Sequence, residues 1–144
     1  MVAATSSSQP PNLAFPRRLR LTHARQYQSV YGYKVRKPSG LLLVYAAPNG
    51  GIEHRLGLAI HRRVGTAVVR NRIKRLLREA FRLDRHGYPL LVNGGGADLI
   101  VQVKPHEPVE VDSYRKWLAD AVSSAVREVS RREAKRGEAS DREG

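Results

Sequence analysis

The run Arg62-Arg63-Val64-Gly65-Thr66-Ala67-Val68-Val69-Arg70-Asn71-Arg72-Ile73-Lys74-Arg75-Leu76-Leu77-Arg78-Glu79-Ala80-Phe81-Arg82 decides how this chain is read. With Ile73 set at zero and about 100° added per residue, one helix from about Thr66 to Leu83 sorts its side chains by chemistry. Val69, Leu76, Leu77, Ala80, Phe81 and Leu83 fall within about 80° of Ile73 and make an apolar face. Asn71, Lys74, Arg75, Arg78, Arg82 and Arg85 fall opposite, and Arg70 and Arg72 flank the stripe. A charged helix face is usually a solvated surface with mixed signs and stabilising i,i+4 pairs. Here like charges stack: Lys74 on Arg78, Arg78 on Arg82, Arg75 on Arg78. Each such pair destabilises an isolated helix by a few tenths of a kcal/mol. A solvated face gains nothing from that arrangement, whereas a phosphate-binding face does.

The rest of the chain agrees with a polyanionic partner. Of its 144 residues 26 are Lys or Arg and 13 Asp or Glu, giving a net charge of +13. Such a surface repels itself until something anionic neutralises it. Twenty of the 26 basic residues are Arg, whose planar fork matches phosphate and stacks on bases. Codon bias in a GC-rich genome would give the same preference. Cysteine is absent, which removes disulfides, thiolate metal sites and thiol nucleophiles. No apolar run reaches the ~18–20 residues of a membrane span, and the N-terminus lacks the pattern of a secretory signal. The expectation is a cytoplasmic protein with no membrane partner.

Residues 1–14 are polar and small, with Pro10-Pro11, and read as a disordered tail. Thr22 can cap a short helix with Ala24, Tyr27, Val30 and Tyr31 on one stripe, ending at Gly32. Pro38-Ser39-Gly40 is a turn, and Leu41 to Ala47 is a buried strand. Pro48-Asn49-Gly50-Gly51 signals a hairpin, so the alternating run Arg55 to His61 is expected to pair antiparallel with Leu41 to Ala47. After the basic helix, Gly94-Gly95-Gly96 leads to a strand at Asp98–Val103. Asp112 can cap a last helix with core stripe Tyr114, Trp117, Leu118, Ala121, Val122, Ala125, Val126 and Val129. One domain, 15–130, is expected, followed by a disordered charged tail, 131–144.

The run Arg55-Leu56-Gly57-Leu58-Ala59-Ile60, the basic pair Arg62-Arg63, Val64-Gly65-x-Ala67-Val68 and Arg70-Asn71-Arg72-Ile73-Lys74-Arg75 resemble the bacterial ribonuclease P protein subunit. Its signature is an "RNR" helix after a strand and a small Gly turn. Gln26 to Tyr31 resembles the family's first helix, Leu42 to Tyr45 its following strand, and Asp98 to Val101 its late strand. The resemblance implies an α+β fold, an αβββαβα two-layer sandwich with a small mixed sheet and a left-handed βαβ crossover. It implies RNA binding by Arg62, Arg63, Arg70, Asn71, Arg72, Lys74, Arg75, Arg78 and Arg82. It also implies a cleft for the 5′ leader of precursor tRNA, lined by Tyr27, Tyr31 and Tyr45, where the family often has Phe at the first two positions. Stacking on bases survives that change. From the residues alone, plain core packing of the tyrosines is equally open.

The resemblance further implies that the catalytic RNA subunit performs the cleavage, with magnesium in the holoenzyme and no cofactor on the protein alone. The partners would be that RNA and precursor tRNA, with the protein a monomer in a one-protein, one-RNA complex. The residues themselves show no catalytic constellation. His23, His54, His61, His86 and His106 are scattered without metal-ligand spacing, and the acids gather only around Glu107 to Asp112 and in the tail. Protein-based phosphodiester hydrolysis needs a convergent acid–base set or a two-metal carboxylate site. A ribosomal-protein-like RNA-binding module or chaperone and a stand-alone nuclease are the competing classes.

Overall fold

A computed structural model describes residues 15–143; the stretch 1–14, expected to be a disordered tail, lies outside them. The elements run α1 (Ala24–Tyr33), β1 (Val35–Ser39), β2 (Leu42–Pro48), β3 (Arg55–Leu58), α2 (Ala67–Asp84), β4 (Ala97–Val103) and α3 (Val111–Glu143). This is the αβββαβα order that the resemblance implies. The sheet order is β1-β2-β4-β3, with β3 parallel to β4 and the other neighbours antiparallel. The fold is α+β on a four-stranded mixed sheet.

Alternation along the central strands builds the layers. Leu42, Val44 and Ala46 of β2 and Leu99 and Val101 of β4 are buried with Ile73, Leu77, Ala80 and Phe81 of α2 and with α3. Every expected core position of α3 is buried except Trp117, which is half-buried. The opposite face of the sheet carries Ala47 and Ile100, which pack with Leu21 and with Val30 of α1. The expected two-layer packing therefore gains a third, partial layer, because α1 sits across the sheet from α2 and α3.

Three local expectations change. The Pro48-Asn49-Gly50-Gly51 turn does not close a hairpin, because β4 inserts between β2 and β3 and takes both as partners. The loop is instead folded onto the start of β4. Asn49 Nδ2 donates to the Glu53 carbonyl at 2.9 Å and to Asp98 Oδ1 at 3.0 Å. Gly96 N–H donates to the Gly51 carbonyl at 2.8 Å. A Cβ at Gly96 would lie 2.2 Å from the Glu53 carbonyl oxygen, so only glycine admits the crossing. At α1, Thr22 is not the cap. The Gln26 side chain reaches back and accepts the Thr22 and His23 N–H groups at 2.8 and 2.9 Å. The helix then runs one residue past Gly32, stopping where Lys34 turns left-handed at φ 65°. Finally, α3 does not end near residue 130. It continues to Glu143, held at 131–136 by i,i+3 ion pairs and by contacts with Tyr33.

His54 locks the loop against β4. It is 4% exposed; Nδ1 accepts the Ala97 N–H at 3.0 Å, and Nε2, which then carries the proton, donates to the Pro89 carbonyl at 2.8 Å. Burial pushes its pKa below the ordinary 6.5. Below pH 6.5 the unfolded chain therefore binds a proton that the folded one refuses. Stability should fall with falling pH from that point until the folded pKa is reached, by at most about 1.4 kcal/mol per pH unit. Thermal melting of His54→Gln across the same range should lack this share of the slope; identical slopes would contradict it.

Candidate nucleic-acid interface

Thr66 starts the basic helix by accepting the Val69 N–H on its hydroxyl at 3.3 Å, a normal N-cap. The preceding turn, Arg62–Val64, is capped by His61, whose Nδ1 accepts the Arg63 N–H at 3.1 Å. His61 thus acts on the backbone and leaves Arg62 and Arg63 facing water. Burial of Ile73, Leu77, Ala80 and Phe81 rotates the other face of α2 outward. Asn71, Arg72, Arg75 and Arg78 are exposed, and Arg70, Lys74 and Arg82 are half-buried.

The electrostatics of this face are uneven. Arg82 makes a two-pronged pair with Glu79, at 3.0 Å through Nε; that hydrogen bond holds the Glu79 carboxyl below its usual range. Among the described residues no carboxylate pairs with Arg62, Arg63, Arg72, Lys74, Arg75 or Arg78. The positive stripe is therefore largely uncompensated, and Arg82 is the residue of the expected set whose charge is answered within the fold. Arg85 departs from the expected outward face. It is 8% exposed, and its guanidinium turns toward Glu53 at 3.5 Å, because the helix ends at Asp84 and the next turn redirects the side chain.

Two residues outside the expected set complete this surface. Phe15 packs on Phe81 with ring centroids 5.3 Å apart, and the Arg20 guanidinium lies 4.7 Å from the Phe15 centroid while donating to its carbonyl at 3.2 Å. With Asn71, Arg75, Arg78 and Arg82 they line a hollow of about 380 Å³. Arg20 precedes any periodic segment, so no helical or strand pattern marked it.

The three tyrosines do come together. Tyr31 meets Tyr45 edge-on at 4.8 Å, and the Tyr31 hydroxyl accepts from Gln102 Nε2 at 3.2 Å. Tyr27, one turn earlier on the same stripe, fixes α1 to β3. Its hydroxyl accepts the Leu58 N–H at 3.1 Å and donates to the Leu58 carbonyl at 3.2 Å. A Cβ at Gly57 would lie 2.8 Å from that hydroxyl, so the glycine in the Arg55-Leu56-Gly57-Leu58 run makes room for Tyr27. Burial raises the Tyr27 pKa, while the Leu58 hydrogen bond and the charge of Arg78 pull it back. All three rings are half-buried, neither sealed in the core nor free.

Beyond Tyr27 the same side of the sheet opens into a groove of about 600 Å³, lined by His23, Arg25, Gln26, Ser29, Asn49 and Arg55 among others. Within it Arg55 grips Asp98 with two hydrogen bonds, at 2.6 and 2.7 Å. The sequence pattern marked Arg55 and Asp98 only as strand residues, because their partnership depends on the parallel β3–β4 register. Among the described residues no three His, Asp or Glu side chains stand close enough to share a metal ion, and no helix is long and apolar enough to cross a membrane.

The site thus joins, in one small α+β domain, a largely uncompensated basic helix face and a tyrosine cluster on the other side of the sheet. The ribonuclease P family model matches residues 15–128. The chain is 39% identical over 107 residues to the ribonuclease P protein component of Desulfovibrio desulfuricans, covering 73% of this chain and 78% of that one. It is 42% identical over 78 residues to the component from Photobacterium profundum, covering 54% and 66%. The solved RNase P protein of Thermotoga maritima superposes with a TM-score of 0.64 at 25% identity, over 73% of this chain and 96% of that one. The chain belongs to the ribonuclease P protein family.

Proposed function

We propose that this chain is the protein subunit of a ribonuclease P holoenzyme and serves the removal of the 5′ leader from precursor tRNA. In this reading it is part of an endoribonuclease whose catalysis belongs to the RNA subunit, and magnesium acts in that holoenzyme. Arg62, Arg63, Arg70, Asn71, Arg72, Lys74, Arg75 and Arg78 bind the catalytic RNA, with Arg82 held partly by Glu79. Tyr27, Tyr31 and Tyr45 line the surface met by the leader. The observation that carries the reading is that one family fold presents two unlike surfaces, an uncompensated basic helix face and, across the sheet, a cluster of three half-buried tyrosines.

Each surface has a chemistry suited to its partner. Folded RNA is held mainly through its backbone, where Arg forks and helix-borne charge act without reading sequence. A single-stranded leader offers unstacked bases to aromatic rings. A protein joining the two would bring substrate and catalyst together without supplying acid, base or metal, lowering the entropy of the encounter.

A reconstitution tests this reading. The protein, a catalytic RNA and precursor tRNA are assayed together and in pairs. RNA alone should cleave at high magnesium, and protein should restore cleavage at low magnesium. Cleavage by the protein alone would make it a nuclease, and no effect of the protein would leave an RNA-binding module or chaperone.

A further inference from the structure

The family match ends at residue 128, yet α3 continues, and its extension returns to the end of α1. α1 has ten residues, too few to be stable alone, and it carries no basic residue in its last turn. Its final carbonyls lack partners within the helix. Arg132, about a hundred residues away, supplies them: Nη1 donates to the Tyr33 carbonyl at 2.5 Å and Nη2 to the Lys34 carbonyl at 3.2 Å. A guanidinium at this place also answers the negative end of the helix dipole. Glu133 accepts the Tyr33 hydroxyl. The guanidinium groups of Arg132 and Arg136 lie 5.5 and 5.3 Å from the Tyr33 ring, and Lys37 of β1 meets Glu128 at 3.9 Å. Tyr33 itself packs against both the main core and the α1 cluster.

We infer that Arg132 and Glu133 are positioning residues that cap α1 from outside and so hold the tyrosine cleft in register on the sheet. The inference rests on the reading of that cleft as the leader site. The end of α1 that they hold is the end nearest Tyr31, two residues before Tyr33. If the cap is released, the last turn of α1 frays and Tyr31 loses its fixed place against Tyr45. Burial, then the bond to Glu133, pushes the Tyr33 hydroxyl up to about 12, so it stays a donor and the clasp persists across the physiological range.

The test uses the full chain with Arg132→Met, which keeps the apolar stem and removes the donors, and Arg132→Lys, which returns one. Two quantities are read: amide hydrogen exchange by segment, and the ratio of affinities for precursor and mature tRNA in the holoenzyme. In R132M the amides at the end of α1 should exchange roughly tenfold faster while those of α2 and β4 are unchanged. The precursor-to-mature ratio should fall by about 3–10-fold, because small misplacements of a binding group are costly. Affinity for the catalytic RNA should stay within about twofold, since Arg132 lies outside the basic stripe. R132K should recover most of both losses. Unchanged exchange in α1, or faster exchange everywhere, overturns the inference. If exchange changes as expected but the ratio holds, Tyr31→Ala separates two failures: a ratio lost in Y31A shows that the cap does not position the cleft, and a ratio kept shows that the cleft reading has fallen and the inference with it.

Discussion

Replacing Arg75 and Arg78 together with alanine should weaken binding to the catalytic RNA by roughly 25–60-fold at about 0.1 M salt. Both side chains are exposed, and among the described residues neither has a carboxylate partner, so each is free to neutralise a phosphate. Each lost contact should flatten the log–log salt dependence by ~0.7–0.9, and the double variant by about 1.4–1.8. The same arithmetic gives the affinity loss, since two contacts at that salt concentration are worth close to 1.6 powers of ten. The fold should tolerate the change, because surface substitutions cost little and removing stacked like charges relieves the helix slightly. Arg82→Ala should flatten the slope less, because Glu79 already compensates that charge. Titrations at several salt concentrations check this. An unchanged slope in R75A/R78A would show that the stripe is a solvated surface.

Tyr31→Ala should remove ~1–3 kcal/mol of binding to precursor tRNA that carries a leader, a 5- to 150-fold loss, and leave mature tRNA almost untouched. Tyr31 is the better probe because Tyr27 has two duties. The Tyr27 hydroxyl holds the Leu58 backbone, so Tyr27→Ala leaves a void and frees a backbone N–H, costing ~3–5 kcal/mol of stability. Its affinity for both tRNAs would then fall with the folded fraction. Tyr31 contacts Tyr45 by a ring edge and Gln102 through its hydroxyl, contacts whose loss leaves the β3 junction intact. Melting temperature and leader-dependent affinity are measured together on both variants. A Y31A protein that is destabilised but still prefers the precursor would mean that the ring serves packing alone.

The basic helix was legible because its signal is local. An amphipathic period and a run of like charges lie on one element, and burial of Ile73, Leu77, Ala80 and Phe81 places them as the pattern requires. The core stripe of α3 was legible for the same reason. What the pattern could not give was pairing. Pro48-Asn49-Gly50-Gly51 has the chemistry of a hairpin, but β4 enters beside β2, and the loop is tied to it by the distant Asp98 and by the loop's own His54, which accepts the Ala97 N–H. The Arg55–Asp98 pair follows from that topology, and the outside cap of α1 and the Phe15–Arg20 edge of the basic surface rest on equally long-range contacts. The sequence does not announce the helical extension after residue 130, because its supports are a tyrosine and two carbonyls at the end of a distant helix rather than an apolar stripe of its own.

The central claim is that two surfaces of one fold meet two different RNAs, and absence of cysteine from the sequence makes a direct measurement possible. A single cysteine introduced at Arg78 or at Gln102, each carrying a short photo-crosslinker, is irradiated in the reconstituted holoenzyme with precursor tRNA. Crosslinks from position 78 should map to the catalytic RNA, and those from position 102 should map to the leader and vanish with mature tRNA. Crosslinks from both positions to the same RNA, or crosslinks at 102 that persist without a leader, would contradict the account.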